Sequence, residues 1–159
     1  MTTRISIHKA TVNDVHNIAV MVGELLNEIM TTIGINFFNF NIEETKSRLA
    51  ELIEREKYFV FVAKDEQLVP IGFISLFEAY ALYAEGAFGT IPELFVRPEF
   101  RSKNVGKQLL EQGKAFGASR GWKRLEVTTP PLPQFEKTLG FYEREEFAIT
   151  GGRKLKVLL

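Results

Sequence analysis

The sequence contains no cysteine, only two histidines and no net charge, since 20 Lys and Arg balance 20 Asp and Glu in 159 residues. The absence of cysteine excludes disulfides, cysteine-ligated zinc and a cysteine nucleophile. His8 and His16 alone cannot form a three-histidine metal site. No apolar run reaches the roughly 18 residues that a membrane-spanning helix needs, and the first residues lack the apolar core of a secretion signal. We therefore expect a cytoplasmic protein without a metal cofactor.

Length and composition fit one globular domain spanning residues 1–159. Hydrophobic residues make up 45% and charged residues 25% of the sequence, which is ordinary for a folded soluble protein. Apolar periodicity predicts the element order β, α, α, β, β, β, α, β, α, β, β. The predicted fold class is therefore α/β with a mixed sheet.

Capping residues and apolar spacing place most of these elements. Thr11 to Asp14 resembles a capping box that opens a first helix, and Asn41 with Glu44 caps a second. The predicted helices cover about residues 12–30, 42–53, 105–120 and 135–142. The predicted strands cover 5–8, 58–63, 69–77, 91–96 and 125–129, and a hairpin of residues 147–149 and 155–159 closes the chain. Residues 85–89 are expected to form a loop.

Charge is unevenly distributed along the sequence. Residues 1–96 carry 7 Lys and Arg against 13 Asp and Glu, a balance of −6. Residues 97–124 carry 8 Lys and Arg against 2 Glu, a balance of +6. One basic segment in a neutral protein indicates a local anionic partner such as a phosphorylated cofactor. A solvated helix face is the alternative interpretation.

The basic segment contains a loop suited to holding a phosphate. Residues 94–96 are a predicted strand, and the loop of residues 101–104 follows and opens an amphipathic helix. A helix N-terminus offers unpaired N–H groups and partial positive charge to an anion. Gly106 allows close backbone approach, and Asn104 belongs to the few residue types that tolerate positive φ. The spacing matches neither a P-loop nor a dinucleotide-binding fingerprint.

At these residues the sequence resembles the GNAT (GCN5-related N-acetyltransferase) superfamily. The family's acetyl-CoA loop, Arg/Gln-x-x-Gly-x-Gly/Ala, is similar to Arg101-Ser102-Lys103-Asn104-Val105-Gly106, which follows the phrase Val96-Arg97-Pro98. A second family phrase, Phe-Tyr-Glu-x-x-Gly-Phe, is similar to Phe141-Tyr142-Glu143-Arg144-Glu145-Glu146-Phe147. The resemblance extends over nearly the whole chain. It implies a mostly antiparallel mixed sheet of about seven strands flanked by about four helices.

The sequence departs from the family pattern at three positions. Asn104 replaces the first glycine of the loop, and Glu146 replaces the glycine before Phe147. Phe135 stands where many relatives have an asparagine, so a cofactor contact made by that asparagine does not carry over.

The resemblance implies direct acetyl transfer from acetyl-CoA, the expected co-substrate, to an amine in a ternary complex. The expected cofactor-binding residues are Leu94, Phe95, Val96, Arg101, Ser102, Lys103, Asn104, Val105, Gly106 and Lys107. Tyr142 matches the general acid of the family, with a packed structural tyrosine as the alternative. Glu93 is the candidate general base, and Glu78 and Glu85 are weaker candidates for that role. A solvated or ion-paired carboxylate is the alternative for Glu93.

The acceptor site is expected between the first two helices, the central hairpin and the last hairpin. Phe37, Phe38, Tyr80 and Tyr83 are the predicted substrate-binding residues, with Phe40 and Phe88 as further lining. The acidic balance of residues 1–96 favours a cationic amine. Aromatic clusters are also typical of core or dimer contacts.

The resemblance favours transfer to the primary amine of a small molecule. Two alternatives remain open, a catalytically silent acyl-CoA-binding sensor or interaction module and an acetyltransferase acting on protein amines. Neither a nucleic-acid partner nor a membrane partner is expected. A homodimer through the aromatic loop or the final strand is compatible with the sequence.

Overall fold

The structure is a computed structural model that describes residues 4–159. The chain forms two compact units, Met1–Thr128 and Thr129–Leu159. The helices are α1 (Val15–Ile33), α2 (Ile42–Glu54), α3 (Val105–Ser119) and α4 (Glu136–Arg144). The strands are β1 (Ser6–Lys9), β2 (Phe59–Lys64), β3 (Pro70–Ala81), β4 (Gly86–Ile91), β5 (Leu94–Val96) and β6 (Leu125–Val127).

Local capping sets the start of the first two helices, as predicted. The Thr11 side chain accepts a hydrogen bond from the Asn13 N–H, and Asp14 accepts one from the Thr11 N–H, which completes the capping box. A short 3₁₀ turn, Val12–Asp14, therefore precedes α1. The Asn41 side chain accepts from the Glu44 N–H at 3.0 Å and caps α2. Each bond satisfies a backbone donor that lacks an intrahelical partner.

The first unit contains a mixed, mostly antiparallel sheet. Its strand order is β1-β2-β3-β4-β6, and β5 pairs with β3 outside this path. All pairings are antiparallel except that between β4 and β6. The predicted α/β class is confirmed, with six strands in the described residues where about seven were expected.

Helices cover the two faces of the sheet. On one face, α1 and α2 enclose a core of eight buried residues: Ala10, Ile18, Met21, Leu49, Val60, Val62, Phe73 and Phe95. On the opposite face, α3 lies close to β3, and a Cβ added at Gly113 would be 3.2 Å from Ile74 Cδ1. This close approach is the compensation expected for a glycine inside a helix.

One strand was missed because its residues have low strand propensity. Residues 85–89 were expected to form a loop, but β4 begins at Gly86 and pairs with β3 and β6. Gly86, Ala87 and Gly89 are poor strand formers. Tertiary packing overrides this preference, since Trp122 and Leu125 occupy the space next to Gly89 that a side chain would need.

The second unit, Thr129–Leu159, contains α4 and a C-terminal segment without helix or strand. The prediction of a closing hairpin is wrong, because residues 147–159 contain no strand. Leu155, Val157 and Leu158 are exposed in this segment. Alternation of apolar residues does not form a strand without a pairing partner, and a lone hairpin is marginally stable in water.

Replacing Gly89 with alanine is expected to destabilise the protein. The added Cβ would lie 2.5 Å from Leu125 Cδ2 and would also collide with the Trp122 ring. Overpacking of this kind costs about 1–3 kcal/mol. Urea unfolding should therefore show a lower midpoint for Gly89→Ala. The matched control Gly151→Ala places its methyl in open space and should keep the parental midpoint; equal midpoints for both variants would contradict this packing.

Candidate active site

A β-bulge separates β4 from β5. Phe77 pairs with Thr90 and Ile74 pairs with Leu94, so three steps along β3 match four steps along the neighbouring segment. One extra residue therefore lies in this stretch, at Pro92 and Glu93. Pro92 has no N–H to donate to the sheet. A bulge bends the strand and redirects side chains, and such bulges are common beside active sites.

Beyond the bulge, one edge of β5 carries no strand. Ser75 N–H donates to Glu93 O at 2.9 Å, and Arg97 N–H donates to Ile71 O at 2.8 Å. Main-chain groups alternate in direction along an antiparallel strand, so those of Leu94 and Val96 face away from β3. Among the described strands, β6 pairs with β4 and not with β5.

The loop after β5 has an unusual backbone. Ser102 and Asn104 both adopt positive φ, at 62° and 65°, which confirms the expectation for Asn104. The Gln108 N–H bonds to Asn104 O at 3.0 Å and closes the first turn of α3. The N–H groups of the preceding three helical residues consequently have no intrahelical acceptor. The loop and the helix start therefore offer N–H donors without intrahelical acceptors, which suits an anion.

Two arginines flanking this loop are held by α1. Arg97 forms a bidentate pair with Glu24, with bonds of 3.1 and 2.8 Å. Arg101 forms a second bidentate pair with Glu28 at 2.8 and 2.9 Å, and its Nε donates to Val96 O at 2.8 Å. The guanidinium groups therefore fix the loop against α1. The exposed lysines Lys103 and Lys107 supply further positive charge at this loop.

Glu93 lies in a largely buried environment next to the bulge. Its Oε1 accepts a hydrogen bond from Ser75 Oγ at 2.7 Å, and its Oε2 accepts one from Tyr58 OH at 3.5 Å. Burial raises the pKa of Glu93 above the ordinary carboxylate value, while the bonds from Ser75 and Tyr58 act in the opposite direction. A carboxylate with a raised pKa accepts protons more readily, as a general base must.

The two weaker base candidates have different surroundings. Glu78 is on the face of the sheet opposite to Ser75, because residues an odd number apart on one strand point to opposite sides. Trp122 Nε1 donates to Glu78 Oε1 at 2.6 Å, and this bond, followed by one from Tyr80, lowers the pKa of Glu78. Glu85 forms an exposed pair with Lys123 at 3.1 Å. The pKa of Glu93 is therefore raised where that of Glu78 is lowered.

Tyr142, the candidate acid, lies on α4 in the second unit. Its side chain is buried, and its ring meets those of Phe141 and Phe147 with centroid distances of 5.2 and 5.3 Å. Burial raises the pKa of Tyr142, so the hydroxyl keeps its proton at neutral pH. Glu146, which replaces a family glycine, adopts the positive φ of 73° that a glycine would accept without strain.

The predicted acceptor residues form separate groups. Phe37 and Phe38 contact each other in the α1–α2 loop, with ring centroids 4.3 Å apart. Tyr80 donates a hydrogen bond to Glu78 and so belongs to the face opposite to Glu93. Tyr83 is exposed, and the Arg124 guanidinium lies 5.4 Å from its ring and also 5.4 Å from that of Phe88. Within residues 4–159, no contact between aromatic rings connects Phe37 or Phe38 with Tyr80 or Tyr83.

Sequence reasoning missed Ser75 and Tyr58. Ser75 is a single polar residue within the apolar run from Ile71 to Leu76 and is 1% exposed. A buried hydroxyl needs a hydrogen-bond partner, so this position could have been noticed. Its partner, Glu93, is 18 residues away and could not be identified without the bulge.

Within residues 4–159, no helix has the length and hydrophobicity required to cross a membrane. In the same range, no group of three His, Asp or Glu side chains is arranged to hold a metal ion.

Known structures share this architecture. An integron cassette protein from the mobile metagenome of Cole Harbour Salt Marsh is similar with a TM-score of 0.79 and 21% identity, over 96% of this chain and 90% of that chain. A GCN5-related N-acetyltransferase from Ralstonia eutropha JMP134 gives 0.78 and 16%, over 97% and 99%. An aminoglycoside acetyltransferase from an uncultured soil metagenomic sample, in complex with sisomicin, gives 0.77 and 17%, over 98% and 96%.

A sequence search of curated proteins finds no match. The model of the acetyltransferase (GNAT) family matches residues 23–147. This range contains the bulge, the loop before α3 and the Phe141–Phe147 phrase, and it covers more than half of the sequence. The chain is therefore a member of the GNAT acetyltransferase family.

Proposed function

We propose that the protein is an acetyl-CoA-dependent N-acetyltransferase that modifies the primary amine of a small molecule. The observation that carries this proposal is the bulge at Pro92 and Glu93. It leaves the β5 edge without a strand partner, next to the N–H-rich loop before α3, and it directs Glu93 toward Ser75. One short stretch thus combines an outer strand edge, N–H donors suited to an anion and a carboxylate with a raised pKa, which supports the proposal.

The residues present fit acetyl-CoA. The pantetheine arm has amide groups that can pair with the outward main-chain groups of Leu94 and Val96 as an added strand. The positive-φ loop and the first N–H groups of α3 suit a pyrophosphate. In this assignment Lys103 and Lys107 add charge, while Arg101 acts through its bonds to Glu28 and to Val96 O.

Two side chains are assigned to proton transfer. When bound, acetyl-CoA supplies an acetyl thioester whose sulfur departs as a thiol. Glu93 takes a proton from the amine, directly or through water, so that the nitrogen lone pair is free to attack. Tyr142 donates a proton to the departing sulfur. The raised pKa of Glu93 makes its carboxylate a better proton acceptor, and the raised pKa of Tyr142 keeps its hydroxyl protonated at neutral pH.

A cationic small amine is the favoured acceptor. Residues 1–96 have a net charge of −6, and part of it remains after four of their carboxylates, Glu24, Glu28, Glu78 and Glu85, pair with cations of residues 97–124. Phe37 and Phe38 are exposed in the α1–α2 loop and offer an apolar surface. One structurally similar protein is an aminoglycoside acetyltransferase in complex with sisomicin, so aminoglycosides are a class of acceptor to test.

Acetyl-CoA binding is expected to depend on Gly106. A bulky side chain at the second residue of α3 blocks the approach of a phosphate to the first-turn N–H groups. Titration calorimetry should show binding by the parent and a loss of at least about tenfold, equal to about 1.4 kcal/mol, in Gly106→Trp. Ala115→Trp adds the same side chain at an exposed position of the same helix and should bind normally. If the parent protein does not bind acetyl-CoA, the proposal that it is an acetyltransferase is wrong.

Substitution of the two proton-transfer residues is expected to reduce turnover without weakening cofactor affinity. Tyr142→Phe and Glu93→Gln should each lower kcat by about 100-fold or more, with an unchanged Kd for acetyl-CoA. The rate of the parent should rise with pH as Glu93 loses its proton, at a pH above the ordinary carboxylate range, because burial raises the pKa of Glu93. Glu93→Gln should lack this rise. Normal turnover in either variant would exclude that residue from its role.

The class of acceptor amine can be determined by measuring the release of the CoA thiol in the presence of different amines. We expect turnover with small cationic amines, including diamines and sisomicin, and little with peptides that present a free N-terminus or lysine. Turnover with the peptides alone would replace the small-molecule proposal by protein acetylation. Acetyl-CoA binding without turnover of any amine would favour the sensor alternative.

A further inference from the structure

The carboxylate of Glu93 is held by side chains from two other strand segments. Ser75 lies in β3, and Tyr58 directly precedes β2. Val60 pairs with Ser75, so Tyr58, two residues before Val60, points to the same face as Ser75. The hydroxyls of Ser75 and Tyr58 lie 2.7 and 3.5 Å from the two carboxylate oxygens. Each of the two carboxylate oxygens of Glu93 therefore accepts a hydrogen bond from one of these hydroxyls.

Ser75 binds both the main chain and the side chain of Glu93. Its Oγ accepts a hydrogen bond from the Glu93 N–H at 3.1 Å and donates one to Oε1 at 2.7 Å. A serine that is 1% exposed in an apolar strand costs stability unless its hydroxyl is satisfied. Because both bonds end on the same residue, the serine links the geometry of the bulge to the orientation of the carboxylate.

Tyr58 is itself held in place by Phe77. The two rings stack with centroids 6.3 Å apart and planes 11° apart. This contact restricts the ring, so its hydroxyl stays directed at Oε2. Burial, followed by the nearby carboxylate, raises the pKa of Tyr58, and the hydroxyl remains a donor at neutral pH. Its 3.5 Å bond is longer than that of Ser75, so we assign it the smaller effect.

The polar surroundings of Glu93 consist of these two hydroxyls. Tyr58 is the titratable group that faces it, from the segment before β2, and Ser75 faces it from β3. In residues 4–159, no Lys, Arg or His forms an ion pair with Glu93. Burial favours the neutral acid, and the two donors favour the carboxylate.

We propose that Ser75 and Tyr58 are positioning residues that fix the orientation of the Glu93 carboxylate and favour its ionised form. The catalytic significance of this arrangement rests on the proposed function, in which Glu93 is the general base. Removing a donor destabilises the carboxylate relative to the acid, so Glu93 would then lose its proton only at higher pH.

The test compares Ser75→Ala and Tyr58→Phe with the parent by two readouts. Carbon-13 NMR of glutamate-labelled protein follows the titration of the Glu93 carboxyl, identified as the resonance absent from Glu93→Gln. The second readout is the pH profile of kcat/KM. Ser119→Ala is the matched control, because the Ser119 hydroxyl is exposed and bonds only to Phe116 O of its own helix among the hydrogen bonds described.

We expect the Glu93 titration to move up by about one pH unit in Ser75→Ala, as for loss of a hydrogen bond to a charged group. Tyr58→Phe should move the titration in the same direction by a smaller amount, and the control Ser119→Ala should not move it. The rise in kcat/KM should shift with the titration, while the rate on the high-pH plateau stays near that of the parent. Ser75→Thr, which keeps the hydroxyl, should restore the parental titration.

The two readouts separate the two claims. An unchanged NMR titration of Glu93 in both Ser75→Ala and Tyr58→Phe overturns the positioning proposal, whatever the activity. A shifted titration with an unchanged kcat/KM profile supports the positioning proposal and excludes Glu93 as the base. If Ser75→Ala fails to fold, as judged by circular dichroism, Tyr58→Phe decides the proposal by the same measurements.

Discussion

The extra residue between β4 and β5 is the constraint on which the site depends. A strand that stayed in register from Gly86 to Val96 would pair with β3 on one side and offer β6 a continuous edge on the other. The inserted residue instead leaves β6 paired with β4 and not with β5. Pro92, which cannot donate a hydrogen bond, sits in this insertion, and the Glu93 N–H binds a serine hydroxyl in place of a main-chain carbonyl. The free edge and the buried carboxylate thus have one origin.

The charge asymmetry of the sequence is largely neutralised in the folded chain. Four cations of residues 97–124 pair with carboxylates of residues 1–96: Arg97 with Glu24, Arg101 with Glu28, Arg120 with Glu78 and Lys123 with Glu85. The first two ion pairs connect α1 to Arg97 and Arg101, which flank or begin the loop before α3. Because α1 also leads into the loop of Phe37 and Phe38, the same helix supports both the cofactor region and the expected acceptor region. Arg97 and Arg101, which belong to the basic segment that predicted a phosphate site, therefore form ion pairs with α1 in the folded protein.

Features set by neighbouring residues were predictable. The capping box at Thr11 and the cap at Asn41 depend on side chains within three residues, and both form as expected. The positive φ of Asn104 followed from its residue type and from a family position that is otherwise glycine. Features that depend on distant partners were not predictable. The strand at Gly86 forms because β3 and β6 pair with it, whereas the apolar alternation of residues 147–159 produces no strand.

The α/β class, the four helices and the loop before α3 could be predicted from the sequence alone, and the resemblance to the GNAT family added the acid candidate. These depend on periodicity, capping and short motifs, which act within a few residues along the chain. Which carboxylate lacks a cationic partner depends on the folded structure: in the described residues Glu93 has two neutral donors and no ion pair, whereas Glu78 pairs with Arg120 and Glu85 with Lys123. Glu78 and Glu93 lie on opposite faces of the sheet, and the pKa of a carboxyl group depends on what surrounds it in space. Those surroundings come from Tyr58 and Ser75, which only strand pairing brings to Glu93.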